Sequence, residues 1–266
     1  MQAAAHPRYL AALLAWQAEM GADECIGDAG IDRYAEAAPP PSRRPAPAAS
    51  APAPAAPADP VAEARVTAGG AASLAALAAA QAAYPHCALR QGARNFVFAD
   101  GLAGARVMVI GEAPGHEEDA KGLPFVGRAG QLLDRMFAAI GLARTAAAAA
   151  DALYITNVLP WRPPGNREPT AEEVAMMLPF VQRHVALADP AVLVLMGNTP
   201  AQAVLGARGI TRLRGRWTEA WGRPVLPMLH PAYLLRQPQT KREAWADLLA
   251  LNAWLRERGL RKGAVP

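Results

Sequence analysis

Four short apolar runs, separated by stretches of helical spacing, constrain this chain more than anything else in it. They are Ala105–Ile110 (ARVMVI), Leu153–Leu159 (LYITNVL), Ala191–Met196 (AVLVLM) and Pro224–Met228, which leads into His230. The first three are rich in β-branched residues and read as buried strands. Helical patterns lie at Gln131–Ile140, Thr199–Leu205 and Lys241–Arg256, and at Ala171–Ala188, where Thr170 is the N-cap and Glu173 follows three residues on. Strands alternating with helices argue for a parallel sheet covered on both faces. The expected fold is α/β: a three-layer α/β/α sandwich with a central, mostly parallel four-stranded sheet.

Every run ends in something polar or glycine-rich: Glu112, Asn157, Gly197 with Asn198, and His230. Ligands of open α/β sheets sit at the carboxyl ends of the strands. The loop after the first run, GEAPGHEEDAKGLPFVGRAGQLL (111–133), carries Glu112, Glu117, Glu118 and Asp119. Carboxylates there do acid/base work or form a solvated surface. Each other candidate also reads two ways. Asn157 caps the turn enforced by Trp161, Pro163 and Pro164, or it reads the edge of a base with adjacent donor and acceptor. His230 is held extended by Pro231, and a lone loop histidine is more often structural than catalytic. Phe125, between Pro124 and Gly127, is core or a stacking platform. Arg212, Arg214 and Arg216 in ITRLRGRW are the solvated face of a strand or a set of phosphate contacts.

The 266 residues are 52% hydrophobic, but much of that is alanine; the net charge of +4 permits a polyanionic partner without demanding one. Cys25 and Cys87 make neither a disulfide framework nor a four-thiolate metal site. With no signal-peptide pattern and no run near eighteen apolar residues, a soluble, cytoplasmic monomer without a membrane partner is expected. Residues 1–36 form an N-terminal helical segment in which Tyr9, Leu10, Leu13, Leu14 and Trp16 share one helix ending near Gly21. Residues 37–70 read as an extended Ala/Pro-rich linker. Residues 71–266 form the main domain, entered through a helix over Ala71–Ala83.

These residues carry a resemblance. GEAPGHEEDAKGLPFVGRAGQLL (111–133), YITNVLPWRPPGNREP (154–169), GITRLRGRW (209–217) and MLHPAYLLR (228–236) are similar to the motifs of uracil-DNA glycosylases, within them the family 4 type. The resemblance covers roughly Tyr84 to Leu251. It implies an enzyme that flips deoxyuridine out of DNA and hydrolyses the bond between uracil and the sugar. By the same resemblance Phe125 stacks on uracil, Asn157 reads its N3 and O4 edge, and His230 sits near O2, where charge develops. Glu112 positions water, and the backbone of Ala113 and Gly115 passes close to the base. Leu234 and Leu235 match the wedge that fills the vacated stack, and Arg212, Arg214, Arg216 and Arg236 hold phosphates.

Typical family 4 enzymes hold a four-iron, four-sulfur cluster on four cysteines. The matching positions here are Tyr84, Cys87, Trp161 and Met177, so only Cys87 remains and no cluster or metal is expected. A related branch that traps DNA covalently uses a histidine in a basic insertion; RPPGNREP has neither, so turnover is expected. A non-catalytic DNA-binding module, related to DNA-polymerase-associated proteins, is the alternative. It has no need of Glu112 and His230, yet both stand beside Asn157 and Phe125. A P-loop protein is disfavoured, because the first loop lacks that glycine pattern and lysine.

Overall fold

The structure, a computed structural model, describes residues 7–20 and 59–261. The chain divides into two units, Met1–Ala55 and Ala56–Pro266. In the first, α1 (Pro7–Glu19) is followed by Met20, with Leu13, Leu14, Trp16 and Met20 exposed. The remainder of the predicted linker up to residue 58 lies outside the described residues. Its predicted end at 70 does not hold: α2 (Pro60–Gly69) begins inside it. Asp59 caps that helix by accepting from the Val61 and Ala62 amides, Pro60 fits its first turn, and Ala64 and Ala68 are buried. Small side chains let α2 approach another helix closely, so this alanine-rich stretch builds core where composition alone reads linker.

Helices α3 (Leu74–Ala83) and α4 (Leu89–Gly92) precede strand β1 (Ala99–Gly101). Then come β2 (Val107–Gly111), α5 (His116–Lys121), α6 (Arg128–Ala138), β3 (Leu153–Asn157) and α7 (Ala171–Ala188). The rest is β4 (Val192–Met196), α8 (Asn198–Leu205), α9 (Ile210–Leu213), β5 (Thr218–Ala220), β6 (Arg223–Met228), α10 (Pro231–Arg236) and α11 (Lys241–Glu257). The sheet has six strands in the order β1-β3-β2-β4-β6-β5, not four. The four expected strands form its parallel centre, and antiparallel β1 and β5 add the edges. Three residues show no alternation to detect, which is why the edges escaped the pattern.

Successive side chains of β2 enter different layers. Val107 and Val109 pack with Leu133 and Phe137 of α6 and Leu248, Leu251 and Leu255 of α11. Met108 and Ile110 pack with Val181 and Val185 of α7. Two-sided burial is what continuous hydrophobic strands require. The α7 capping box forms as read: Thr170 Oγ1 accepts from the Glu173 amide, and Glu173 Oε2 accepts from the Thr170 amide. No described helix is long and apolar enough to cross a membrane.

One buried polar pair has a consequence for stability. Tyr154 Oη lies 2.8 Å from His184 Nε2, and Phe98 stacks on the imidazole. Burial pushes His184 down to about 3. The unfolded imidazole titrates near 6.5, so the unfolded chain binds the extra proton between those values. This group's contribution to stability is therefore complete above about pH 6.5 and declines as pH falls toward 3. The expected result is a melting temperature that drops over that window more steeply in wild type than in His184→Gln. Identical pH profiles would remove His184 as the cause.

Candidate active site

Parallel pairing brings the candidate residues to one end of the sheet. Gly111 pairs with Asn157 across β2 and β3, and Met196 pairs with Met228 across β4 and β6. Glu112, Gly197, Asn198 and His230 follow directly. A cleft of about 510 Å³ opens there, a size usual for ligand pockets, and Glu112, Phe125, Asn157, Gly197 and His230 all line it. Ala113 and Gly115 line it as well, as does Arg236.

Asn157 is 6% exposed, and its Oδ1 is buried without a hydrogen-bond partner among the described residues. An unpaired amide oxygen costs free energy that a bound donor recovers. Gly111 leaves the space for this arrangement: a Cβ there would collide with Asn157 Oδ1 and with the Phe125 ring. His230 caps α10 by accepting the Ala232 amide at Nδ1 (3.1 Å). That bond assigns the neutral tautomer: Nδ1 is unprotonated, so the proton is on Nε2. Burial pushes the imidazole down to about 4, with Arg236 acting the same way and Glu118 against it. Near neutral pH the ring is an uncharged donor. It stacks on Phe125 at 5.5 Å.

Glu112 accepts a 2.5 Å hydrogen bond at Oε2 from Thr199 Oγ1. Thr199 was not singled out by the sequence, and it stands 87 residues away in the chain. Asn198, just past the end of β4, holds a neighbouring loop. Its Oδ1 accepts the amides of Gly209 and Ile210 and so pins the loop before α9. Glu118 is a loop clamp: Oε2 accepts from the Gly115 amide, and Oε1 accepts from the amides of Val126 and Gly127. The Gly115 N–H is thus taken by Glu118, which leaves the close approach of its backbone as what it offers a ligand. Across the cleft mouth, Arg167 pairs with Glu173 and ties the RPPGNREP loop to α7.

Phe125 is core and cleft wall at once: 6% exposed, packed with Leu133 and Phe137, and lining the cleft. Its φ is +53°. An aromatic residue in the left-handed region costs about 1–3 kcal/mol and persists only when its surroundings impose it.

Two expectations for the rim are corrected. Leu234 is 1% exposed and packs with Leu132, Leu229 and Ala244, so the α10 turn spends it on the core instead of presenting it at the rim. Leu235 is only partly buried. Arg214 is no free phosphate ligand either: it pairs with Asp247, whose side chain is 2% exposed, and donates to the Glu243 carbonyl. The ITRLRGRW segment is not a strand at these arginines but the short helix α9 and a loop. Arg212, Arg216 and Arg236 remain exposed.

A profile of the uracil DNA glycosylase superfamily matches residues 98–249, more than half of the chain. The chain belongs to the uracil DNA glycosylase superfamily. Among its relatives, the type-4 uracil-DNA glycosylase of Archaeoglobus fulgidus is 40% identical over 170 residues, 60% of this chain and 82% of that protein. That of Thermotoga maritima is 35% identical over 65% of this chain and 90% of its own length. That of Sulfurisphaera tokodaii is 35% identical over 59% of this chain and 73% of its own.

The four residues that the resemblance sets against cluster cysteines lie together in the structure. Tyr84, Cys87, Trp161 and Met177 share one buried cluster with Leu77, Leu159 and Phe180. Tyr84 Oη donates to the Pro60 carbonyl, Phe180 packs edge-on against its ring, and Phe96 lies 5.5 Å from Trp161. Gln81 Nε2 donates to Met177 Sδ. Burial pushes the Cys87 thiol up, which keeps it protonated. One protonated thiol among aromatic and thioether groups does not fit a cluster that requires thiolates.

Proposed function

We propose that this chain is a uracil-DNA glycosylase that flips deoxyuridine into the cleft and hydrolyses its N-glycosidic bond, leaving an abasic site. The observation that carries the reading is the unpaired Oδ1 of Asn157, buried in a cleft walled by Phe125 and His230. Uracil presents a donor at N3 and an acceptor at O4, the complement of an amide. Phe125 supplies the stacking face. As C1′–N1 breaks, the bonding pair passes to uracil and negative charge grows on O2. The neutral Nε2–H of His230 stabilises that charge more in the transition state than in the ground state. Glu112, held by Thr199, orients the water that adds to C1′ and favours the cationic sugar; the water's proton leaves to solvent and the uracil anion is protonated. No lysine lines the cleft among the described residues, which supports simple hydrolysis without strand cleavage. The cluster-matching core supports a protein without iron and sulfide.

The test is a uracil-containing oligonucleotide followed on a gel with and without alkali. Strand breaks only after alkali are expected, and intact DNA under both conditions would refute the proposal. Asn157→Asp then examines base reading. A carboxylate accepts from N3–H but cannot donate to O4, so uracil excision should fall while some cytosine release appears. Unchanged uracil activity in both Asn157→Asp and Asn157→Ala would remove the reading role.

Leu235, beside the exposed Arg236, is the proposed wedge. Leu235→Ala should impair cleavage of duplex more than of single strands, since only the duplex has a vacated stack to fill. Leu234→Ala should instead destabilise the fold by about 2–5 kcal/mol and affect both substrates alike. A duplex-specific defect in Leu234→Ala with an unchanged melting temperature would reverse the assignment.

A further inference from the structure

Arg144 lies in the connection between α6 and β3 and does not line the cleft. No motif in the sequence marks it. Its side chain is 12% exposed, and its guanidinium makes four well-formed contacts. Nη1 donates to the Pro124 carbonyl (2.9 Å), and Nη2 donates to the Phe125 carbonyl (2.8 Å). Nε donates to Asp134 Oδ1 in α6 (2.9 Å), and Nη1 donates to Asp100 Oδ2 in β1 (2.8 Å). Two carboxylates compensate the buried charge, and the planar fork spends two arms on consecutive carbonyls of the loop that carries the proposed uracil platform.

Phe125 holds a left-handed backbone that an aromatic residue does not adopt unaided. Three groups surround it. Glu118 takes the two amides that follow it, and α6 presses against its carbonyl where Gly130 offers no Cβ to collide. Arg144 alone reaches that carbonyl from a side chain, among the described residues. Releasing it frees the peptide to rotate toward ordinary φ, and such a rotation swings Cβ and the ring with it. A displacement of about 1 Å at a group that orients a substrate can cost about 10²-fold in rate.

We propose that Arg144 is the positioning residue of the base platform: it fixes Phe125 in its left-handed conformation from behind the cleft, and thereby fixes the ring against which uracil stacks. The inference rests on the glycosylase reading for its kinetic consequence, but not for its structural one.

The experiment is a double-mutant cycle on the full chain, in single turnover with a uracil-containing oligonucleotide. It compares Arg144→Ala, Phe125→Ala and the double variant, with melting temperatures alongside. Arg144→Ala is expected to lower the rate by about 10–10² in the wild-type background. In the Phe125→Ala background the same change should cost less than about two-fold, because there is no ring left to place. Equal losses in both backgrounds would show a general structural role and overturn the proposal. Arg144→Lys should fail to restore the rate, since a point charge cannot span two carbonyls, whereas millimolar methylguanidinium should partly restore Arg144→Ala. Should Arg144→Ala not fold, Arg144→Gln takes its place. A second readout needs no activity: the backbone couplings and chemical shifts of Phe125 in Arg144→Gln, by NMR. Departure from the left-handed region is expected. A Phe125 that stays left-handed would overturn the positioning role even if the wild-type chain proved inert on uracil, an outcome that sinks the glycosylase reading instead.

Discussion

Glu112→Gln and His230→Ala are each expected to lower single-turnover cleavage of uracil DNA by about 10²–10³, with DNA affinity changed by far less. The loss belongs to the transition state. Glutamine is isosteric with glutamate and can keep a hydrogen bond to Thr199 Oγ1, but it has no charge to favour a cationic sugar and is a poor acceptor for the attacking water. Alanine at 230 removes the Nε2–H donor from the place where charge grows on uracil O2. It also removes the Nδ1 acceptor that caps α10 through the Ala232 amide. His230→Asn separates the two effects, because asparagine is a good N-cap residue and restores the cap without the ring. A slow but normally melting His230→Asn assigns the loss to the missing donor. Near wild-type rates in both Glu112→Gln and His230→Ala would refute the assigned roles.

The second large effect is on stability. Trp161→Ala is expected to cost about 3–5 kcal/mol. Trp161 is 3% exposed and belongs to the cluster that joins the segment around Tyr84 and Cys87 to α7 through Met177 and Phe180. These segments are held together largely by dispersion and burial, so the largest side chain of the group bears much of the load. Differential scanning calorimetry of wild type and Trp161→Ala measures the cost. Iron and sulfide analysis of protein purified without air accompanies it, together with a visible spectrum. A stoichiometric cluster, or a Trp161→Ala variant as stable as wild type, would overturn this account of the segment.

What the chain discloses before folding, and what it withholds, divides along the range of the interactions. The parallel centre of the sheet was legible because each strand is a run of neighbours excluded from water together, as in Val107–Ile110 and Val192–Met196. The helix start at Thr170 was legible because its capping box lies within three residues. Glu112, Phe125, Asn157 and His230 could be named because they sit in long motifs at strand ends, where topology gathers side chains. The edge strands β1 and β5 were not, since three residues carry no period. Nor was α2, because alanine enters a core or a linker according to what stands opposite.

The placements that the sequence did not disclose have the same origin. Leu234 and Leu235 are adjacent and chemically identical, and only the packing of α10 on Leu132 and Ala244 decides which one is buried. Arg214 looks like its neighbours Arg212 and Arg216 until Asp247 arrives from α11, 33 residues on. Thr199 meets Glu112, and Arg144 meets Phe125, across separations that no spacing rule spans. Backbone propensity and hydrophobic periodicity are local properties and are written in the sequence directly. The partner of a buried polar group is a property of the closed chain, because water satisfies that group equally well until folding removes it.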